Sequence, residues 1–385
     1  MKVSMFGTLP PLKGNAYYCW NLVEALSKKI EIEFFSFSKL YPEFLYPGGT
    51  KDSDEKFIAQ DSENLQIRRI LNIYNPFSWV KAGLQASGDL IHAQYWSLPP
   101  VPVWVTAFSI LRRRGKKILL TVHTPIQHEP VFYEPPLVRA VMKRADNFIV
   151  HVEKNVQLME EEFGIPVEKT HHVPMGSHGI AGSAHNSNGS PEAAKKELGI
   201  NEKSKTLLFF GNIREYKGIE DFILTVSILK ERYDGEVTGI IAGQPWDKFD
   251  KYTELMKEKN VEDNFVTNLG YIPASDVGKY FSASDVVLLP YKIMDGQTGI
   301  GYVALEHHKP LVVTNVGGLP DLVLDKEFIA EPNRPDQLAE KVMKIFDNED
   351  ISKKLAEDAK VLLKAFSWDS ISDKTVEVYQ KMLGS

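Results

Sequence analysis

The stretch from Asp285 to Val323 reads DVVLLPYKIMDGQTGIGYVALEHHKPLVVTNVGGLPDLV and indicates the fold better than any other part of the chain. The apolar run Val286 to Leu289 predicts a buried strand, and the helix-compatible residues after it must stop at Pro310. A second strand, Leu311 to Val313, leads into a glycine loop and Pro320, which suits the first turn of a helix. This alternation is typical of the βαβ unit of a parallel sheet.

The polar loop in this unit predicts a phosphate site. Asp295, Gln297, Thr298 and Gly299 lie between a strand and a helix. In parallel sheets, ligands bind at the carboxyl ends of the strands, where the N–H groups of a helix N-terminus face an anion. A phosphate there gains about 0.3 to 1 kcal/mol from the helix dipole, and roughly 2 kcal/mol when partly buried.

Length and composition indicate a two-domain soluble protein. A chain of 385 residues exceeds one ordinary core, and its 43% hydrophobic and 25% charged content is typical of globular proteins. The net charge of -6 argues against general nucleic-acid binding. Cys19, the sole cysteine, allows no internal disulfide or cysteine-based zinc site and is interpreted as core.

The N-terminus and the longest apolar stretch indicate a cytoplasmic protein. Lys2 leads directly into a strand-like run without the features of a secretory signal. Leu98 to Leu111 contains three prolines and is shorter than the roughly 20 residues that span a bilayer. We therefore expect a cytoplasmic enzyme, with peripheral association at the inner face of a membrane as an open alternative.

The first half of the chain alternates strands with helical stretches, which predicts a mostly parallel α/β sheet. Ala16 to Lys29 is a predicted helix, and Lys39 to Ser62 shows no clear period and is interpreted as an irregular excursion. Strands are predicted at Val3 to Phe6, Ile32 to Phe37, Leu90 to His92, Ile118 to Val122, Phe148 to Val150 and Thr170 to Val173.

Two features of this half have both a functional and a structural interpretation. His123 follows an apolar strand, where it can contact a sugar hydroxyl or satisfy local backbone. The loop with Pro10, Pro11 and Gly14 can approach a ligand closely or be a plain turn.

A basic cluster, Arg112, Arg113, Arg114, Lys116 and Lys117, lies between a predicted helix and a strand. Cations favour helix C-termini, so a structural role is preferred. A membrane-surface or anionic-acceptor patch is the alternative.

Gly176 to Glu192 is rich in Gly, Ser, Asn and His and predicts an interdomain linker. His171, His172, His178 and His185 lack a third ligand at metal spacing, so no metal site is expected. We place the domains at 1–175 and 196–366, the linker at 176–195 and a final helix at 367–385.

The second half restarts with the strand Leu207 to Phe210, followed by GNIREYKG and an amphipathic helix. Arg214 and Lys217 in this loop can clamp a diphosphate, or they can be surface charges at a helix start. Further strands are predicted at Val237 to Ala242 and Phe265 to Leu269, and helices follow Pro335. The last helix has an apolar face made of Trp368, Ile371, Val376, Tyr379 and Met382.

These segments together resemble a known family. GNIREYKG, YIPASDVGKYFSASDVVLLPY, QTGIGYVALEHHKPLVVTNVGGLPDLV and FSWDSI resemble the C-terminal half of family 4 of the retaining glycosyltransferases. GDLIHAQ, LLTVHTP and HHVPMG resemble the strand ends of the first half. The resemblance implies the GT-B fold, in which two Rossmann-like domains face each other across a cleft and the last helix crosses back to the first domain. It also implies transfer of a sugar from a nucleotide diphosphate donor with retention of configuration, without a metal or other cofactor.

The resemblance also implies site residues. His123 would contact the transferred sugar and the reaction centre, Arg214 and Lys217 would hold the diphosphate, and Asp295 would contact sugar hydroxyls. Backbone N–H groups near Thr298 would assist. The implied donor-binding residues are Gly14 in the first-domain loop, Gly211, Asn212, Tyr271 and Ile272 near the nucleobase, Gln297, Thr298, Gly299, Ile300 and Glu306.

Three positions depart from the pattern of the family. Val303 stands where a glutamate usually binds the ribose, and Glu306, one helical turn on, could substitute if the ribose shifts. Asn212 stands where arginine is common, so Arg214 would take that role. Asn15 replaces the second glycine of a common Gly-Gly pair, which leaves the acceptor geometry open.

The resemblance favours a UDP-hexose donor over GDP-mannose, and the acceptor is a sugar, a metabolite or a lipid-linked precursor in carbohydrate biosynthesis. The alternatives are a phosphorylase-like reaction, hydrolysis of the nucleotide sugar, and a catalytically silent subunit that binds the nucleotide sugar.

Overall fold

The computed structural model describes residues 1–12, 15–40, 59–125, 134–177, 190–246, 248–294 and 296–384. The chain divides into two compact units. The first unit comprises Met1–Gly176 and Phe366–Ser385, and the second comprises Ser177–Ala365.

Each unit is built on one parallel sheet. The first sheet has seven strands, in the order β3, β2, β1, β4, β5, β6, β7, and the second has six, in the order β10, β9, β8, β11, β12, β13. The strands are β1 Lys2–Gly7, β2 Glu31–Lys39, β3 Leu65–Asn72, β4 Leu90–Tyr95, β5 Lys117–Val122, β6 Asn147–Val150, β7 Thr170–His172, β8 Lys205–Phe210, β9 Val237–Gly243, β10 Phe265–Leu269, β11 Val286–Leu289, β12 Leu311–Thr314 and β13 Ile329–Ala330.

Helices connect the strands of both sheets. They are α1 Ala16–Ser27, α2 Pro76–Gln85, α3 Val101–Arg113, α4 Glu134–Met142, α5 Asn155–Phe163, α6 Pro191–Glu197, α7 Ile219–Arg232, α8 Asp250–Glu258, α9 Ala274–Ala283, α10 Gly299–Glu306, α11 Pro335–Asp347, α12 Glu349–Ala365 and α13 Trp368–Leu383. In the part of the chain that is described, no helix combines the length and the apolar character needed to cross a membrane.

The predicted fold class is confirmed, because both units are α/β domains of the Rossmann-like kind with parallel sheets. Two strands were missed. β3 is an edge strand with exposed Arg69, and its apolar residues do not alternate strictly, so the sequence shows no strand period. β13 has only two residues. The helix predicted at Pro320 is a single 3-10 turn, Leu319–Leu322, which ends where Val323 becomes extended.

The final helix belongs to the first unit. Ile371, Tyr379 and Met382 of α13 are buried in a core that includes Leu22 and Leu26 of α1. The Tyr379 hydroxyl lies 2.6 Å from Nδ1 of His92, in the middle of β4.

The linker prediction was too long at its C-terminal end. Pro191 starts α6, and the side chain of Ser190 caps it by accepting a hydrogen bond from the Ala193 N–H. Residues 191–195 are therefore helical. His178 and His185 lie outside the described residues.

Part of the basic cluster has the predicted structural role. Nη1 of Arg114 donates to the carbonyls of Gly83 and Ala86, at 2.7 and 2.8 Å, at the C-terminal end of α2. Nζ of Lys116 donates to the Gly88 carbonyl at 2.6 Å. Arg114 thus stabilises the end of α2 rather than that of its own helix, and Lys116 binds the segment that follows α2.

Candidate functional site

The loop from Gly211 to Gly218 follows the central strand β8 and is locked against the end of β11. Gly218 has φ +69° and begins α7, and an added Cβ there would lie 1.8 Å from the carbonyl oxygen of Pro290. The Lys292 N–H also donates to the Tyr216 carbonyl at 2.7 Å. Only glycine fits at position 218, and this close approach brings the two predicted loops together.

Lys217 is a buried cation without an acidic partner among the described residues. Its side chain is 9% exposed, and Nζ lies 5.4 Å from the centre of the Tyr291 ring. Burial, followed by the positive charge of Arg214, lowers the pKa of Lys217 to about 8. A bound anion would oppose both effects, so this environment favours a negatively charged ligand.

Arg214 is held by stacking rather than by a carboxylate. Its Cζ lies 3.7 Å from the centre of the Trp246 ring, within cation–π range. Two backbone hydrogen bonds fix this pairing, from the Ile213 N–H to the Gln244 carbonyl at 2.9 Å and from the Trp246 N–H to the Ile213 carbonyl at 3.1 Å. The stack orders the guanidinium without an ion pair to any described carboxylate.

Sequence reasoning missed Trp246. The available signal was its place in the loop after β9, since the ends of neighbouring parallel strands share one edge of the sheet.

The N-terminus of α10 lies at the same place. A Cβ added at Gly211 would be 3.2 Å from Cδ1 of Ile300 and 3.8 Å from Nζ of Lys217. Thr298 is the buried N-cap residue, and its Oγ1 lies 3.3 Å from the Tyr291 hydroxyl. The structure thus brings the predicted Gly211, Lys217, Thr298 and Ile300 together, beside exposed Gly299.

A hydrogen bond orders the loop that precedes α10. The Tyr302 hydroxyl donates to Oε1 of Gln297, so this predicted donor-binding residue is tied to the helix that follows it.

The ends of β9 and β10 continue this edge of the sheet. Gly243 has φ +149°, and a Cβ there would be 1.9 Å from the Gly211 carbonyl oxygen, while the Gly270 N–H donates to the Gly243 carbonyl at 2.9 Å. Tyr271 follows Gly270 with 81% of its side chain exposed, and Ile272 is half-buried. Tyr271 therefore offers an open aromatic surface two strands away from Arg214 and Lys217.

Chemically, this edge of the second unit is suited to a diphosphate. It combines two cations without described acidic partners, the free N–H groups at the start of α10 and a glycine loop that leaves backbone accessible. The neighbouring Lys292 shows the contrast, because it is already paired with Glu220 at 2.6 Å.

The remaining predicted residues of the second unit have mixed placements. Asp295 lies outside the described residues. Val303 is buried in α10 and 2% exposed, and Asn212 is exposed. Oε1 of Glu306 accepts a hydrogen bond from Ser177 at 2.8 Å, and burial raises the pKa of this carboxyl. Its role in ribose binding stays a prediction.

In the first unit, His123 lies at the carboxyl end of β5 among polar and aromatic side chains. Its N–H donates to the Tyr95 carbonyl at 2.9 Å, and Nε2 lies 2.9 Å from Oε1 of Gln94 and 3.3 Å from Nδ2 of Asn15. The Tyr18 ring meets the imidazole edge-on at 4.7 Å. The ring is thus oriented by contacts on several sides, while Gly14, one residue from Asn15, lies outside the described residues.

The other described histidines of the first unit have structural partners. His92 bonds Tyr379 and Thr121, and burial, followed by His151, lowers the pKa of His92 to about 3. Nε2 of His171 lies 3.0 Å from Nδ2 of Asn147. Within the described ranges, no three His, Cys, Asp or Glu side chains come together as a metal site would require.

Comparison with known protein families gives two matches that together span most of the chain. Residues 13–177 match the family described as Glycosyltransferase Family 4, and residues 190–362 match Glycosyl transferases group 1.

Individual relatives are distant. An uncharacterized glycosyltransferase of Methanocaldococcus jannaschii is 28% identical over 192 residues, or 48% of this chain and 47% of that protein, so the match spans about half of that relative. A D-inositol 3-phosphate glycosyltransferase of Corynebacterium glutamicum is 24% identical over 316 residues, covering 77% of this chain and 73% of that protein.

Solved structures share the fold. Sucrose-phosphate synthase from Thermosynechococcus elongatus gives a TM-score of 0.67 at 17% identity and covers 100% of this chain and 99% of that one. Anabaena HepE in complex with UDP gives 0.69 at 15% identity, covering 99% of this chain and 100% of that one.

Proposed function

The chain belongs to glycosyltransferase family 4, and on that premise we propose that it transfers a hexosyl group from a UDP-sugar with retention of configuration. The acceptor is a hydroxyl-bearing sugar, metabolite or lipid-linked precursor. The name of the Corynebacterium relative, which includes D-inositol 3-phosphate, supports a phosphorylated polyol as the first acceptor to test. The UDP in the HepE complex supports UDP as the first nucleotide to test.

The observation that carries the proposal is the state of Lys217. An ammonium that is 9% exposed, with a pKa lowered to about 8 and no acidic partner among the described residues, destabilises the empty protein. A nucleoside diphosphate would supply the missing negative charge. Arg214, ordered by Trp246, would add a planar pair of donors to the same phosphate oxygens.

The proposed mechanism places the charge of the transition state on these groups. The bond between the anomeric carbon and the diphosphate oxygen breaks, and the departing oxygen becomes more negative. The acceptor hydroxyl attacks the anomeric carbon from the same face, and its proton passes to the departing diphosphate oxygen, so the reaction needs no separate enzymatic base. Lys217, Arg214 and the N–H groups of α10 stabilise the leaving group more strongly in the transition state than in the ground state.

His123 is proposed to contact the transferred hexose. Its described contacts with Gln94, Asn15 and Tyr18 are polar and aromatic, which suits hydrogen bonding to a neutral hydroxyl. Glu306 is proposed to help bind the ribose, and Tyr271 and Ile272 to contact the base. The cations at positions 214 and 217 take the charge-neutralising role that a metal ion has elsewhere, so we propose metal-independent transfer.

The first experiment is a thermal-shift screen of UDP, GDP, ADP and their hexose conjugates, because a ligand that binds the folded state raises its stability. The selected donor is then incubated with acceptors, with and without EDTA, and the anomer formed is read by proton NMR. The proposal expects UDP to give the largest shift and EDTA to have no effect. An inverted anomer would contradict the retaining assignment.

One observation favours a second candidate, a silent subunit that binds the nucleotide sugar. Val303 is buried at the position where the family usually presents a ribose-binding glutamate, so part of the donor site is altered. Release of UDP distinguishes the cases. Acceptor-dependent release indicates transfer, acceptor-independent release indicates hydrolysis, and binding without release indicates the silent subunit.

A further inference from the structure

Helix α2 of the first unit has an exposed apolar stripe. Phe77, Val80 and Leu84 are 85%, 37% and 58% exposed, and their spacing of three and four residues places them on one face of the helix. Tyr74, in the turn before the helix, is 59% exposed. Large apolar side chains concentrated on one helix face indicate an interaction surface more strongly than scattered ones do.

The orientation of α2 is fixed by its opposite face. Ser78, Ala82 and Gly83 are buried, and a Cβ added at Gly83 would lie 3.3 Å from Cβ of Ile110 on α3. Nε1 of Trp79 donates to the Asn72 carbonyl at 2.8 Å. Helix α2 packs on the first unit through this buried face, so the exposed stripe is not needed to hold the helix in place.

The surroundings of the stripe are basic, although the whole chain carries a net charge of -6. Lys81 is exposed on the stripe itself, and Arg114 binds the Gly83 and Ala86 carbonyls at the C-terminal end of α2, next to exposed Arg113. Of the eight Lys and Arg residues from Asn64 to His128, Arg68 and Arg112 face the carboxylates of Glu33 and Asp146, at 3.9 and 3.7 Å. Lys81, Arg113 and Arg114 have no acidic partner among the described residues.

We propose that this α2 face docks the chain on an anionic lipid surface. Exposed aromatic and aliphatic side chains flanked by Lys and Arg match the interfacial region of a bilayer that carries negative headgroups. A second copy of the chain fits less well, because a symmetric contact would bring the same positive charges together. The proposal does not rest on the donor chemistry, because lipid binding is measured without nucleotide.

The test is co-sedimentation of the full chain with phosphatidylcholine vesicles and with vesicles containing about 30% phosphatidylglycerol, at low and high salt. The variants are Phe77→Ser with Leu84→Ser, and Lys81→Glu with Arg113→Glu. The control is Val361→Ser on α12, whose side chain is 59% exposed, close to that of Leu84.

We expect binding to the anionic vesicles alone, weakened by salt. Each double variant should reduce it at least tenfold, and the control should bind like the wild type. Thermal melting checks folding, and since the changed side chains are exposed, the midpoints should stay near the wild type. If the apolar variant unfolds, vesicle binding by the charge-reversal variant decides whether the proposal holds.

Three results would overturn the proposal: no binding by the wild type, equal binding to neutral vesicles, or unchanged binding by the double variants. A dimer detected by light scattering and abolished by the apolar variant, without vesicle binding, would assign the face to a second copy instead.

Discussion

The loops after β5 and after β8 occupy equivalent places, each at the carboxyl end of a strand inside a parallel sheet, yet their chemistry differs. The loop after β8 carries Arg214 and Lys217, two positive charges without described acidic partners. His123 after β5 is oriented by an amide, a carbonyl and aromatic rings. The same architecture thus presents two cations in the second unit and a histidine with polar and aromatic contacts in the first.

Under the proposed function, this difference matches the two chemically distinct parts of a nucleotide-sugar donor. A diphosphate is bound by charge, so its site must hold cations that no protein carboxylate neutralises. A hexose is neutral and is bound by oriented hydrogen bonds, so its site needs rigidity more than charge. We therefore expect changes in the second unit to affect nucleotide binding and turnover together, and changes at His123 to affect turnover alone.

The largest expected effect is that of Lys217→Ala or Arg214→Ala. Each change removes a hydrogen-bond donor that we propose contacts the departing diphosphate. Turnover at saturating nucleotide sugar should therefore fall about 100- to 1,000-fold. The measurement is UDP release with acceptor present. Lys292→Ala is the matched control, because Lys292 lies nearby and is already paired with Glu220 at 2.6 Å. Near wild-type turnover in both main variants would refute the charged site.

His123→Ala tests the first-unit site, which we propose contacts the hexose. Loss of oriented hydrogen bonds to the hexose should lower turnover roughly tenfold to a hundredfold while UDP affinity changes less than about twofold. The two quantities are measured by product formation and by calorimetry with UDP. A large loss of UDP affinity would show that the two loops do not divide the donor as described.

The dependence on pH should distinguish the two sites as well. Because the pKa of Lys217 is lowered to about 8, Lys217 is mostly neutral above that pH and must take up a proton when an anion that needs the ammonium binds. UDP affinity should be nearly flat between about pH 7 and 7.5, where the terminal phosphate is ionised, and should fall by up to roughly tenfold per unit from pH 8 to the pKa of the complex. Lys217→Arg should remove this decline, since arginine stays charged.

The same lowered pKa predicts a change in stability. The unfolded chain binds the proton of Lys217 more tightly than the folded one, so the contribution of this group to the free energy of unfolding should rise from pH 8 toward the ordinary lysine range. Denaturant titration at pH 7.5 and 9.5 checks the sign. The rise should be absent in Lys217→Met, and its persistence there would assign it to other groups.

A smaller effect is expected at Trp246. Trp246→Ala should raise the Michaelis constant for the donor by about three- to tenfold, because the Arg214 guanidinium loses its stacking partner at 3.7 Å. Trp246→Phe should restore most of the affinity. A purely structural role would instead lower the thermal midpoint of both variants without this rescue.

The sequence was most informative where local rules act alone. Pro310 and the apolar runs on either side of it predicted the βαβ unit. Edge strand β3 was not predicted because its half-exposed residues show no regular alternation of apolar and polar side chains. The position of an edge strand depends on its neighbours in the sheet, and the local sequence pattern carries no information about those neighbours.

For the candidate site, the sequence predicts the charged residues but not the contacts that hold them. Arg214 and Lys217 follow a strand in a recognisable loop, and the structure brings Lys217 to the start of α10. Trp246 lies 32 positions after Arg214, and only the sheet order shows that the ends of β8 and β9 adjoin. Contacts between strand ends depend on topology, so sequence spacing did not reveal them.

The most direct test is calorimetric titration of UDP into the wild type and into Lys217→Met at pH 7, with the thermal midpoint of each measured alongside. Replacing a buried, unpaired ammonium with an apolar side chain of similar length should leave the midpoint unchanged or raise it. We predict at least tenfold weaker UDP binding by this stable variant. Equal affinity in the two proteins would contradict the assignment of Lys217 to the diphosphate.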